Sequence, residues 1–264
     1  MAEGAMTEGT TSQATDYGIV IPIHNESECL EAEVAEIVDD MEARGVDYEL
    51  ILAENGSSDD TLAIAQRLAA ANPRIRAMQM PVPDYGFAMK TGMLASRGDY
   101  VVLFDIDYHD IDFMLKAGAV LDGGASQHVR GAAGGPGAPG IVVGSKLIAG
   151  SDDRRLPARH FISLGFTTIL RVLFDPRMDD NHGMKVLRRD VVQRFAPKTV
   201  RTTDLFDTEL IIRARRAGVI VKALPVTCEE KRKARSSIAR RIPRTIKGLL
   251  NLRMVLWREG KAGA

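Results

Sequence analysis

Four short apolar runs, each closed by a polar cluster and alternating with stretches of helical periodicity, limit most tightly what this chain can fold into. Tyr17-Gly18-Ile19-Val20-Ile21-Pro22-Ile23 ends in His24-Asn25-Glu26-Ser27, after which Leu30, Val34, Ile37, Val38 and Met41 recur at helical spacing. Tyr48 to Ala53 is stopped by Glu54-Asn55-Gly56-Ser57-Ser58-Asp59-Asp60. Leu62, Ala65, Leu68 and Ala69 then continue as a helix for which Asp59 is a suitable N-cap. Ile75 to Met80 reads as a third strand, Gly86 to Ser96 as a third helix and Tyr100 to Phe104 as a fourth strand. Strands that are apolar along their whole length are buried on both faces. The pattern therefore predicts an α/β domain with a mostly parallel sheet, helices on both faces, and ligands at the carboxyl ends of the strands.

The fourth strand stops on Asp105-Ile106-Asp107. On an extended backbone, carboxylates two residues apart point the same way and can share one hard cation. The alternative is a turn with solvated acids, and only the neighbouring motifs can decide between them. A dinucleotide-binding Rossmann domain would place Gly-x-Gly-x-x-Gly after the first strand, and His24-Asn25-Glu26-Ser27 contains no glycine.

Three motifs in register carry a resemblance. Ile21-Pro22-Ile23-His24-Asn25-Glu26, Glu54-Asn55-Gly56-Ser57-Ser58-Asp59-Asp60-Thr61 and Phe104-Asp105-Ile106-Asp107 resemble the family-2 glycosyltransferases with the GT-A fold. Gly86 and Ala88, Gly144-Ser145-Lys146, Asp179 to Lys185, Phe206-Asp207-Thr208-Glu209-Leu210 and Leu224-Pro225-Val226 extend it, from about Tyr17 to Ser236, towards the dolichyl-phosphate mannose synthase-like branch. The chain departs from the family pattern in Glu54-Asn55, where paired aspartates are usual, in Lys146 for arginine, and in Glu229-Glu230-Lys231-Arg232-Lys233 after Pro225. Lysine for arginine at a phosphate site exchanges a bidentate fork for a point charge.

The resemblance implies a nucleotide-sugar pocket built from Pro22, Asn25, Glu26, Glu54, Asn55, Gly86 and Asp105. It also implies a Mg or Mn ion on Asp105 and Asp107, with His109 at a third-ligand position and an imidazole there favouring Mn. Helix capping is an additional role for Asn25 and Glu26, and a hydrogen bond to Asp110 an alternative one for His109. Asp107, Asp179 and Glu209 are the candidate catalytic carboxylates, and Lys146, Arg159 and Lys185 the candidate ligands of an acceptor phosphate. A hydroxyl acceptor needs a general base, whereas a lipid phosphate is already an anion and needs only cations to hold it. The expected activity is metal-dependent, inverting transfer from a nucleotide-diphosphate sugar to a polyprenyl phosphate. Transfer to a hydroxyl of a soluble or envelope glycan, and a silent nucleotide-sugar-binding protein, are the alternatives.

Outside these motifs, residues 1–16 read as a disordered lead, 17–230 as the catalytic domain, 123–140 as a flexible insertion with seven glycines and two prolines, and 231–264 as a tail. Cys29 and Cys228 lack metal-ligand or redox spacing, which suits a reducing cytoplasm. The apolar stretch from Phe161 to Phe174 contains Arg171 and falls short of the roughly 20 residues that span a bilayer.

Formal net charge is zero, yet the tail holds eleven basic residues against Glu259 alone, leaving the body strongly acidic. Ile238, Ile242, Ile246, Leu249, Leu250 and Met254 form an apolar stripe among these cations, with Trp257 near its end. An interfacial helix on the anionic inner face of a membrane is one reading. Packing on the domain, or on a second subunit of a homo-oligomer, is the other. No recognition fold supports a nucleic-acid partner.

Overall fold

Thr15–Ile23 (β1) lies inside the sheet, flanked by a strand on each side, and the alternation of its side chains explains the layers on either side. The computed structural model describes residues 15–123, 137–154, 157–180, 183–201, 205–228 and 238–262. Residues 1–14 of the expected lead, 124–136 of the expected insertion and 231–237 of the expected tail lie outside them. β1 begins at Thr15, two residues inside the stretch read as lead, because Thr15 and Tyr17 pair with Gly98 and Tyr100.

In chain order the elements after β1 are Leu30–Ala43 (α1), Tyr48–Glu54 (β2), Thr61–Ala71 (α2), Ile75–Gln79 (β3), Tyr85–Ala95 (α3), Gly98–Leu103 (β4) and Ile111–Leu121 (α4). They are followed by Ile141–Ser145 (β5), Asp152–Asp153 (β6), Pro157–Leu173 (α5), Lys185–Arg188 (β7), Arg189–Phe195 (α6), Phe206–Arg216 (α7), Val221–Pro225 (β8), Thr227–Cys228 (β9) and Ile238–Ala262 (α8). Seven strands form one sheet in the order β3-β2-β1-β4-β7-β5-β8, and β6 pairs with β9 in a short parallel ribbon. All neighbours in the large sheet are parallel except β7, which runs antiparallel to both β4 and β5. This is the mostly parallel sheet between helical layers that the strand pattern predicts.

Strand periodicity divides the core in two. Ile19, Ile21, Leu50, Leu52, Val102 and Phe104 face the layer that holds α1 and α4, whereas Val20, Ile51, Val101 and Leu103 face α3, α6, α7 and α8. In α1, Leu30, Val34, Ile37 and Met41 are buried, as their helical spacing predicts.

α8 packs on the domain with one apolar side and leaves another exposed. Leu249, Leu252 and Leu256 are buried in the second core, where Gly248 lets the helix approach Leu205; a Cβ there would lie 2.5 Å from Leu205 Cδ1. Ile242, Ile246, Leu250, Met254 and Trp257 are exposed. On α5, Phe161, Leu164 and Val172 are exposed as well. Among the described residues, no helix is long and apolar enough to cross a membrane.

Candidate active site

The loops after β1 and β2 are stitched together at the carboxyl edge of the sheet. Asn25 adopts a left-handed backbone (φ 56°), which lets its Oδ1 accept from Ser58 N at 2.8 Å while its own N–H donates to Ser57 Oγ at 3.0 Å. Glu26 N donates to Thr61 Oγ1 at 2.7 Å and Ser27 N to Asp59 Oδ2 at 3.2 Å. Burial raises the pKa of Asp59, but hydrogen bonds from Thr61 and Ser27 outweigh it and hold the carboxyl far below its ordinary range. Gly56 (φ 66°) makes the turn, and a Cβ there would meet Pro83 at 2.9 Å.

Glu54 is buried at the end of β2, its Oε1 accepting from Ser57 N at 2.5 Å. Asn55 Oδ1 accepts from Asp84 N at 2.5 Å, drawing in the start of α3, where Gly86 is buried. Pro22 pairs in register with Ala53 on the adjacent strand. The structure thus gathers Pro22, Asn25, Glu26, Glu54, Asn55 and Gly86 at one edge. It also gives the Asn25 and Asn55 carbonyls the loop-bracing role that capping residues have.

β4 ends at Leu103, and the carboxylate pair that follows lies in a turn rather than on extended strand. Asp105 N donates to Tyr108 O at 3.3 Å and Tyr108 N to Asp105 O at 3.1 Å, with Ile106 buried beneath the turn. The apolar Ile106 draws the chain back to the core, which overrides continuation of the strand. Asp105 and Asp107 nevertheless remain within electrostatic reach. Burial pushes the Asp105 carboxyl up to about 6; Lys185 opposes that rise, Asp107 and Asp207 add to it, and Lys146 again opposes it.

Asp107, Asp207, Lys185 and Lys146 therefore all lie within electrostatic reach of Asp105. Lys185 is buried in β7 and its Nζ lies 2.7 Å from both Asp207 Oδ2 and Gly183 O. Lys146, also buried, lies 3.8 Å from Asp180. Both lysines were expected at an acceptor phosphate, and Asp207 was among the available carboxylates but not among the candidate catalytic ones. Asp207 and Glu209 sit two apart in the first turn of α7, roughly 200° around the helix, so they face opposite ways.

Other expected residues fall elsewhere. Glu209 is fully buried and its carboxylate accepts from Val200 N, Arg201 N and Arg213 Nε, at 2.7 to 3.1 Å. It clamps the segment before α7, and the expectation of a catalytic base there is corrected. His109 is turned to α1, 3.8 Å from Glu33 and from Glu36, so it does not join Asp105 and Asp107 as expected; the tight turn redirects its side chain. Asp179 is half-buried and lies 3.8 Å from Arg171 Nη2. Arg159 belongs to α5, and its side chain lies outside the described residues.

A family model, "Glycosyl transferase family 2", matches residues 18–112, which span both stitched loops and the Asp105 turn. Over those residues the chain is similar to the family-2 glycosyltransferases. It is 26% identical over 227 residues to "Dolichyl-phosphate beta-glucosyltransferase ALG5C" of Trichomonas vaginalis, covering 80% of this chain and 63% of that protein. It is 27% identical over 236 residues to "Glycosyltransferase AglD" of Haloferax volcanii, covering 88% of this chain and 36% of the relative. It therefore spans less than two thirds of the length of either. Among solved structures, glucosyl-3-phosphoglycerate synthase from Mycobacterium tuberculosis, in complex with Mn2+, uridine diphosphate and phosphoglyceric acid, superposes with a TM-score of 0.59 at 20% identity, covering 90% of this chain and 78% of that one. That likeness carries the fold. In family-2 terms, the stitched loops and the Asp105 turn occupy the matched segment, while Lys146, Lys185 and Asp207 reach it from outside.

Proposed function

We propose that this chain is a divalent-metal-dependent, inverting glycosyltransferase that moves a sugar from a nucleotide-diphosphate donor to a polyprenyl phosphate. The observation that carries this reading is the convergence of Asp105 and Asp107 with Lys185 and Lys146 beside the braced loops of β1 and β2. The residues fit a cation: a half-buried carboxyl whose proton affinity is raised is one whose negative charge lacks compensation, and a divalent ion would supply it. Asp105 and Asp107 would hold Mg or Mn, which supplies charge neutralisation for the departing diphosphate. The solved relative with Mn2+ and uridine diphosphate supports the same reading.

In this reading Pro22, Asn25, Glu26, Glu54, Asn55 and Gly86 hold the nucleoside. An acceptor oxygen attacks the anomeric carbon as the bond to the diphosphate oxygen breaks, and the leaving oxygen takes the electron pair. A phosphate acceptor brings its own negative oxygen, so Lys146, Lys185 and Arg159 need only position it. The name of the Trichomonas relative supports a lipid phosphate. The exposed apolar side of α8 supports it too, since Arg244, Lys247, Arg253, Arg258 and Lys261 surround that side and suit an anionic cytoplasmic leaflet.

A hydroxyl acceptor is the second reading, favoured by Asp207, a carboxylate beside Asp105, although Lys185 already engages it. A panel of nucleotide sugars with Mn2+, each with a short-chain polyprenyl phosphate or a free sugar, tests both. Transfer to the lipid phosphate is expected. Transfer to the sugar alone would favour the second reading, and no turnover of any donor would leave a silent binding protein.

A further inference from the structure

We propose that Glu33, Glu36 and His109 form a second divalent-cation site, suited to zinc, which pins α1 to the loop leaving the Asp105 turn. It shares no residue with the Asp105–Asp107 pair and does not depend on the proposed transfer reaction. Glu33 and Glu36 are three apart on α1 and so project from one side of the helix. One ligand atom from each of the three residues lies within 4.8 Å of the others.

The decisive feature is the imidazole. The His109 side chain is only 6% exposed, and its buried Nδ1 has no hydrogen-bond partner among the described residues. Nδ1 lies 3.8 Å from Glu33 Oε2, and Nε2 lies 3.8 Å from Glu36 Oε1. That is too long for a hydrogen bond, whose heavy atoms sit about 3 Å apart. An imidazole binds one ion through one nitrogen; from that nitrogen to its glutamate, 3.8 Å is within the span of two metal–ligand bonds of about 2.1 Å that meet at an ion, and the other glutamate's ligand atom lies within 4.8 Å.

An imidazole with two carboxylates is a borderline donor set, which zinc accepts more readily than calcium or magnesium does. A cleft of about 190 Å³, lined by Glu36, Ile37, His109 and Asp110, opens beside two of the three and would admit water to complete the coordination. Arg44, which shares this cleft, is engaged by Asp40 and Asp112 at 2.7 Å each.

The test uses the full chain, stripped with chelator and titrated with Zn2+ alone, in an Asp107→Asn background that disables the donor-side pair. One Zn2+ per chain should bind by equilibrium dialysis, and zinc-edge absorption should show one imidazole, oxygen ligands and no sulfur. Adding Glu36→Gln, at the exposed ligand, and Glu33→Gln, at the partly buried one, should weaken binding at least tenfold while the metal-free fold, read by circular dichroism, is retained. Absence of Zn2+ from the Asp107→Asn protein, sulfur in the coordination shell, or undiminished binding by the double Gln variant would each overturn the proposal.

Discussion

Lys185 Nζ lies 2.7 Å from Asp207 Oδ2, and this ion pair joins β7, the antiparallel strand, to the first turn of α7 beneath the Asp105 turn. Both side chains are largely buried, so removing one strands the other's charge, a change that costs about 3–5 kcal/mol in comparable buried pairs. Lys185→Met should therefore lower stability by an amount in that range in urea unfolding. Lys185→Met combined with Asp207→Leu should recover most of the loss. Simple addition of the two single-variant losses would mean that the pair is not coupled.

Asp105 gives a pH dependence of definite sign. Its folded pKa of about 6 lies above the ordinary carboxyl value, so the folded state binds this proton more tightly than the unfolded chain does. That contribution to stability is fully present below about pH 4 and is lost as pH rises through about 6. Asp105→Asn should consequently stabilise the metal-free protein at pH 8 by at most about 3 kcal/mol, and by nearly nothing at pH 4. Thermal melts across that range check it; equal effects at both ends would refute the burial of this charge.

Glu209 should behave as a structural residue. Its loss leaves Val200 N, Arg201 N and Arg213 without their acceptor. Glu209→Ala is expected to cost about 3 kcal/mol or more, from an unpaired buried guanidinium and two unsatisfied N–H groups. Glu209→Gln, which keeps an acceptor oxygen, should retain donor turnover per folded molecule when assayed well below its melting temperature. A complete loss of turnover in a stably folded Glu209→Gln protein would restore it as a base.

The two apolar sides of α8 should separate cleanly. Leu252 is buried in the second core, and Leu252→Ala should cost about 2–5 kcal/mol of stability. Leu250→Ser with Met254→Ser removes exposed apolar area and should leave the melting temperature within a degree or two. The same pair should reduce co-sedimentation with anionic vesicles severalfold, and added salt should reduce it further. Unchanged sedimentation by the exposed-side variant would remove the membrane from the account.

Much of this was legible in the sequence, for a physical reason. β1, β2 and β4 are buried on both faces, so their apolar runs announce them, and parallel strands put the polar clusters that follow them on one edge. β7 announced nothing: Lys185-Val186-Leu187-Arg188 is short, carries charge at both ends and finds its partner Tyr100 far back in the chain. The family resemblance brought Asp207 and Glu209 to notice together, but only burial could decide which of them lies beside Asp105. Reading Asp105-Ile106-Asp107 as extended also misdirected His109, because a turn that closes at Tyr108 points the next side chain at α1.

The central claim is that Asp105 and Asp107 hold a divalent ion through which this edge of the sheet binds a nucleotide diphosphate. Calorimetric titration of wild type and Asp107→Asn with uridine and guanosine diphosphates, each with Mn2+ and with chelator, tests it most directly. The account predicts micromolar binding of at least one of them by wild type only when Mn2+ is present, and a loss of tenfold or more in Asp107→Asn at an unchanged melting temperature. Equal affinity in chelator, or an unaffected Asp107→Asn, would contradict it.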